Sequence, residues 1–178
     1  MARIKMLKRE EMNEEQKKQF DEFPANLAKG LLLTKTLAKG YAALGTALRY
    51  TEFPAKEREL VIVRVGEFCH CKYELMQHRE LALAAGWTEE DLHAVSVNNL
   101  EHFDDRIQAI LRFTNECMEL VKVSTETFDN ARKFLSEAET AELTLLVGHY
   151  MMTARFIETL EIDMDEHPTS WENVKLSN

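Results

Sequence analysis

Glycine and proline are scarce, with six Gly and three Pro in 178 residues. So few turn formers argue against a sandwich or barrel built from many short strands. No apolar run approaches the ~18 residues that a membrane-spanning helix needs. The start, Met1-Ala2-Arg3-Ile4-Lys5, leads into Lys8-Arg9-Glu10-Glu11 rather than an apolar stretch, so neither an anchor nor a secretion signal is expected. Cysteine is limited to three, an odd count that suits free thiols in a reducing, cytoplasmic setting better than a disulfide framework. Positive charge is in deficit: 22 Lys+Arg against 31 Asp+Glu give a net −9, which disfavours nucleic acid as the main partner.

A 45% hydrophobic share fits a globular chain, and the pattern predicts helices separated by short polar breaks. Residues 9–22 form a polar, exposed leading helix that Pro24 interrupts. Helices over 27–38 and 41–50 follow, with Leu31, Leu32, Leu33 and Leu37 as the first strongly apolar surface. Residues 55–68 contain Leu60-Val61-Ile62-Val63, strand-like by propensity. Their leading Lys-Glu-Arg-Glu and helical neighbourhood predict a buried helix instead. Residues 72–85 are helical, with Gly86 as C-terminal cap. Thr88 and Asp91 read as a capping box for a helix to about Val97. Ile107, Ile110, Leu111, Thr114, Met118 and Val121 make one stripe of a helix over 104–121. Ser124 caps 125–135, and Ser136 with Glu139 caps a long helix over 137–162. Its stripe is Leu143, Leu146, Val147, Tyr150, Ala154 and Ile157. The expected organisation is an N-terminal helical arm (1–24), one all-α domain (25–162) and an acidic, irregular tail (163–178).

The densest group of reactive side chains is Cys69-His70-Cys71-Lys72-Tyr73-Glu74, followed by His78, with Glu59 twelve residues before Cys71. In a helix beginning near Cys71, Glu74 and His78 are four apart and share a face. Cys71 in the first turn has the backbone N–H groups and the dipole to stabilise a thiolate. Carboxylate, imidazole and thiol together make an acid–base or redox constellation. Each residue also has a plain structural role open to it. Buried Cys is commonly a small hydrophobe, as Cys117 is read here. Glu59 can pair with Arg64 or Lys56, and the two ligands Glu74 and His78 do not make a metal site.

Arg58-Glu59-Leu60-Val-Ile-Val-Arg-Val, Cys-Lys-Tyr73-Glu74-Leu-Met-Gln77-His78 and Ala84-Ala85-Gly86-Trp-Thr-Glu-Glu-Asp together resemble the carboxymuconolactone decarboxylase family, which shares the alkylhydroperoxidase D (AhpD-like) fold. Glu142-Leu-Thr-Leu-Leu-Val-Gly-His-Tyr150-Met-Met-Thr-Ala-Arg155-Phe is similar to the last helix of its longer single-domain members. The resemblance spans roughly residues 25–165. It implies an oligomeric all-α bundle (a dimer, trimer or hexamer) acting on a small molecule, with no cofactor, metal, nucleic acid or membrane partner.

In the peroxidase branch two Cys form a C-x-x-C at the head of a helix, with a His four residues after the second and a Glu twelve before the first. Here Cys71 matches the first Cys, Glu59 the Glu and His78 the His. Glu74 takes the place of the second Cys, and Tyr73 stands where that branch often has another His. Cys69 makes a C-x-C instead. Helical i and i+2 positions point about 200° apart, so a Cys69–Cys71 bridge needs a non-helical link.

Three readings follow. The first is a cofactor-free decarboxylase or lyase on a small carboxylated substrate. His78 is its acid/base, Glu59, Tyr73 and Glu74 complete the site, and Arg64 or Arg155 holds the carboxylate. The second is a thiol peroxidase in which Cys71 attacks hydroperoxide, Glu59 and His78 deprotonate it, and Cys69 resolves it. The third is a non-catalytic oligomeric member.

Overall fold

The computed structural model describes residues 2–169. Among them are nine α-helices and three short 3-10 turns, with no strand. The helices are α1 (Glu14–Glu22), α2 (Asn26–Leu31), α3 (Thr36–Ala47), α4 (Ala55–Phe68), α5 (Lys72–Ala84), α6 (Glu89–Ser96), α7 (Asp105–Glu119), α8 (Thr125–Ala131) and α9 (Glu137–Leu160). Among the described residues no helix is long and apolar enough to cross a membrane. The chain divides into two compact units. One is Leu48–Arg155, and the other is the chain up to Ala47 together with the described residues from Phe156 on.

The Leu48–Arg155 unit is built around α4, which packs against α5, α6 and α7. Leu60, Val61, Ile62, Val63 and Val65 are all buried, so α4 is apolar nearly all round, as a central helix must be. Val and Ile each cost about half a kcal/mol of helix propensity. Burying each side chain contributes roughly 1.5–3 kcal/mol, and burial wins. Around α4 lie Leu92 and Val95 of α6, Ile107, Ile110, Leu111 and Phe113 of α7, and Leu143, Leu146 and Val147 of α9.

Helix α4 ends in a paired backbone cap: the Cys71 N–H donates to Gly66 O (2.9 Å) and the His70 N–H to Glu67 O (3.1 Å). This Schellman geometry needs a left-handed residue, and His70 supplies it at φ 52°. Cys71 then serves as the N-cap of α5. The two helices approach closely at Gly66, where a Cβ would stand 3.0 Å from Leu75 Cδ2. Gly86 closes α5 in the same way as His70 closes α4, at φ 96°.

The capping boxes at Thr88/Asp91 and Ser136/Glu139 are formed with both hydrogen bonds in place. Ser124 caps α8, which stops at Ala131 rather than 135. Helix α7 ends at Glu119, so Val121 lies beyond it, fully exposed, instead of joining the stripe. Arg106 of α7 binds both oxygens of Glu57 on α4 (2.9 Å each), Glu139 on α9 (3.0 Å) and the carbonyl of Phe134, tying three helices together.

In the other unit, the expected 9–22 helix is a 3-10 turn at Arg9–Glu11 followed by α1. The Asn13/Gln16 capping box fixes the start of α1. The 27–50 stretch breaks at a 3-10 turn over Leu32–Thr34 and at Lys35, φ 55°. Leu32 is buried while Leu37 is 69% exposed, so the four leucines do not share one covered surface. The segment after 162 is anchored through Asn26, whose N–H donates to Asp165 Oδ1 (2.8 Å) and whose Nδ2 donates to the carbonyls of Asp163 and Met164. The tail beyond 169 lies outside the described residues.

Candidate functional site

The α4–α5 hairpin brings Glu59 and His78 together although they are nineteen residues apart. His78 Nδ1 lies 2.8 Å from Glu59 Oε2, and both side chains are buried. Arg58 Nε donates to the other carboxylate oxygen, Oε1, at 3.1 Å. Burial pushes the Glu59 carboxyl up, but His78 and Arg58 together outweigh it and hold Glu59 below the usual carboxylate range. An ionised Glu59 places a proton on His78 Nδ1, which leaves Nε2 as the working nitrogen.

Nε2 faces Glu74, whose Oε2 is 3.6 Å away, one helical turn below. Desolvation pushes the Glu74 carboxyl up to about 7, only partly opposed by His78. Its protonation state therefore changes near neutrality. Cys71 is completely buried at the N-cap rather than in the first turn, and its side chain makes no cap hydrogen bond. Seven residues separate it from His78, roughly 10 Å along the helix. Glu74 lies between them, so Cys71, Glu74 and His78 climb one face of α5.

Helix α9 closes the far side. The ring of Tyr150 stands edge-on to His78 (centroids 5.1 Å apart, planes at 89°) and edge-on to His149 (5.2 Å, 86°). Burial, reinforced by the nearby His78, drives His149 down to about 4, so it is neutral at neutral pH. Arg58 Nη1 donates to the carbonyl of Arg49 (3.3 Å). The half-buried Arg49 guanidinium is pulled below its ordinary value by burial, within the electrostatic reach of Tyr150, Arg58 and Glu59.

The other residues singled out in the sequence stand apart. Tyr73 is buried but about 140° round α5 from His78. Arg64 is about 140° round α4 from Glu59. It donates to Asn115 Oδ1 (2.7 Å) and to the Val95 carbonyl, which makes it a packing element between α4, α6 and α7. Arg155 is exposed and donates to Met151 O on its own helix. The structure does not bring either arginine to the Glu59–His78 pair. Cys69 is half-buried, and none of the three cysteines is in a disulfide. Among the described residues no group of three or more His, Cys, Asp or Glu is arranged to hold a metal ion.

Arg49, Arg58, His149 and Tyr150 were missed as site residues. Arg58 carried a faint signal as the neighbour of Glu59. His149-Tyr150, a polar pair within an apolar helix, was a second.

Residues 35–116, which include the whole α4–α5 hairpin, match the model of the carboxymuconolactone decarboxylase family. This stretch is similar to carboxymuconolactone decarboxylase-family domains. Its fold is AhpD-like. An alkylhydroperoxidase AhpD core protein from Ralstonia eutropha JMP134, described as peroxidase-related, superimposes with TM-score 0.80 at 15% identity, covering 97% of this chain and 94% of that one. The debrominase Bmp8 aligns with TM-score 0.73 at 15% identity over 90% and 91% of the two chains. A cysteine-to-alanine variant of Bmp8 has been solved with 2,3,4-tribromopyrrole. No curated protein matches the chain. At this identity the likeness carries the AhpD-like fold alone.

Proposed function

We propose that the chain is a cofactor-free acid–base enzyme, a decarboxylase or lyase acting on a small carboxylated substrate. The carrying observation is the Glu74 carboxyl, held near neutrality 3.6 Å from His78 Nε2 while Glu59 grips Nδ1. Glu59 fixes the imidazole and stabilises its protonated form. His78 Nε2 and the Glu74 carboxyl, which changes protonation state near neutrality, lie close enough to pass a proton between them. In a β-keto acid the bond to the carboxylate breaks, CO₂ leaves, and the electron pair passes to the adjacent carbonyl as an enolate. His78 then delivers the shared proton to carbon, and the site recovers a proton from water. Arg49 and Arg58 give this region a cationic flank suited to a carboxylate.

A second reading has its own support. The left-handed His70 is the non-helical link that a Cys69–Cys71 bridge requires. In that reading the Cys71 thiolate attacks a hydroperoxide, giving the alcohol and a sulfenic acid. Cys69 condenses with it to a disulfide and water, and an external dithiol restores both thiols. The distance from Cys71 to His78, with a carboxyl between them, favours the first reading. Three cysteines outside any disulfide suit a reducing, cytoplasmic setting.

The test is CO₂ release from β-keto acids and γ-carboxymuconolactone, run beside hydroperoxide loss with a dithiol reductant. Acid–base catalysis predicts that Glu74→Gln and His78→Gln each lower decarboxylation at least 100-fold, while Cys71→Ser leaves it intact. Peroxide turnover that Cys71→Ser abolishes and Glu74→Gln spares would overturn it.

A further inference from the structure

Helix α9 brings to the site a hydroxyl that the acid–base steps do not use. The Tyr150 ring stands between His78 and His149, edge-on to both, at 5.1 and 5.2 Å with planes at 89° and 86°. Two perpendicular contacts of this kind pin the ring. His78, His149, Glu59 and Glu74 are buried, while Tyr150 and Arg49 are half-buried. Tyr150 and Arg49 therefore stand on the solvent side of the buried acid–base groups. The Tyr150 phenol lies within electrostatic reach of the Arg49 guanidinium. The Arg49 backbone is tied to α4 through its carbonyl, which accepts from Arg58 Nη1 at 3.3 Å.

Loss of CO₂ sends an electron pair to a carbonyl oxygen, and that oxygen needs a donor that keeps its own proton through the step. His78 and Glu74 handle the proton bound for carbon. Glu59 holds His78 Nδ1, and Arg58 holds Glu59. A phenol O–H is an uncharged donor. A cation fixed on the departing carboxylate opposes the loss of its charge, whereas a cation near the carbonyl favours the electron flow. We propose that Tyr150 is a catalytic residue whose O–H donates to the substrate carbonyl oxygen and holds it as the enolate, with Arg49 as the positioning residue behind the phenol. This rests on the acid–base reading and narrows its substrate to acids with a carbonyl β to the carboxylate. The bond from the α-carbon to the carboxylate breaks, CO₂ leaves and the pair enters the enolate. His78 then protonates the α-carbon and the carbonyl re-forms, while Tyr150 keeps its proton throughout. The hydrogen bond strengthens as charge builds on the oxygen, so it acts on kcat more than on binding.

Two measurements on the full chain test this. The first is turnover of the β-keto acid that the wild type decarboxylates fastest. Tyr150→Phe keeps the ring and both edge-on contacts and removes the O–H alone. Its kcat should fall about 100-fold with KM little changed. Arg49→Gln should also lower kcat, and Arg49→Lys should recover most of the loss. The arginine pair tests the proposal even if Tyr150→Phe fails to fold. The second measurement needs no turnover. 4-Nitrophenol, whose neutral and ionised forms absorb at different wavelengths, is titrated with protein at a pH where the free compound is mostly neutral. The wild type is expected to bind it as the phenolate. Tyr150→Phe and Arg49→Gln should each weaken that binding by about tenfold. A kcat that Tyr150→Phe leaves unchanged, or phenolate binding insensitive to both variants, would overturn the proposal while leaving the acid–base reading intact. A wild type that decarboxylates no β-keto acid would overturn that reading instead, and the phenolate band would then decide whether Tyr150 and Arg49 hold an oxyanion.

Discussion

Glu74 shows how one buried carboxyl can be both useful and costly. Its pKa is raised from 4.5 to about 7. The folded chain therefore keeps a proton that the unfolded chain has already released, and stability falls as pH rises from about 4.5 to 7. A shift of this size corresponds to a cost of up to about 3 kcal/mol at pH 8. Glu74→Gln should raise the melting temperature at pH 8, leave it nearly unchanged at pH 4, and abolish turnover. A thermal-unfolding series across pH, run beside the assay, measures both effects. At this scale the sequence was most legible where chemistry is local. Glu74 and His78 are one helical turn apart, and the motif supplied Glu59. Arg49, His149 and Tyr150 were not legible, because only the packing of α9 and the 48–54 segment against the hairpin brings the last two to His78 and Arg49 to Arg58 and Glu59. Arg64 and Arg155 were chosen for their guanidinium alone, and helical phase turns them elsewhere.

Among the elements, the α4–α5 hairpin governs the site, and two residues govern the hairpin. Gly66→Ala would place a methyl 3.0 Å from Leu75 Cδ2 and should destabilise the fold by about 1–3 kcal/mol in denaturant titrations. His70→Gly removes the cost of a left-handed residue with a Cβ, and should stabilise the chain by about 0.5–1 kcal/mol without moving the helices. The sequence foretold this hairpin well. The 55–68 helix was predicted with its observed limits, and the four caps read from Ser124, Ser136, Thr88 and Gly86 were found in place. It failed where backbone detail decides the outcome: the break at Lys35, the early end of α8, and the left-handed His70 at a position that glycine usually holds. A histidine is a far weaker signal of positive φ than a glycine, so the C-x-C spacing did not reveal its own geometry.

For the whole molecule, acid is the sensitive side. His149 is driven from 6.5 to about 4, so the unfolded chain gains a proton below pH 6.5 that the folded chain refuses. Glu59 is held below the usual carboxylate range, so the stability it contributes is present above that range and is lost as pH falls through its folded value. Both effects reduce stability on acidification, His149 alone by up to about 3 kcal/mol. Between about pH 6.5 and 4.5 the loss at His149 is offset by the gain at Glu74, so unfolding free energy should fall mainly below about pH 4.5. His149→Phe should leave the Glu74 gain unopposed, so that stability rises on acidification over the window from about pH 6.5 to 4.5. An unchanged slope in that variant would show that His149 is not the group responsible. Length and the scarcity of glycine and proline had already limited the fold to one helical class. The division into two compact units was invisible in them, because it depends on the ends of the chain meeting through Asn26, Asp163 and Asp165.

The placement of Cys71 at the head of α5 has one more consequence. An N-cap residue and the third residue of its helix face each other, with Cα atoms about 5–6 Å apart, inside the range a disulfide spans. Cys71 and Glu74 occupy those two positions. Glu74→Cys should therefore let the chain form a 71–74 bridge on oxidation, detectable as the loss of two titratable thiols, and should exchange proton transfer for electron transfer at the same imidazole. The two chemistries proposed for this site would then differ by one side chain, at a position whose backbone geometry suits either.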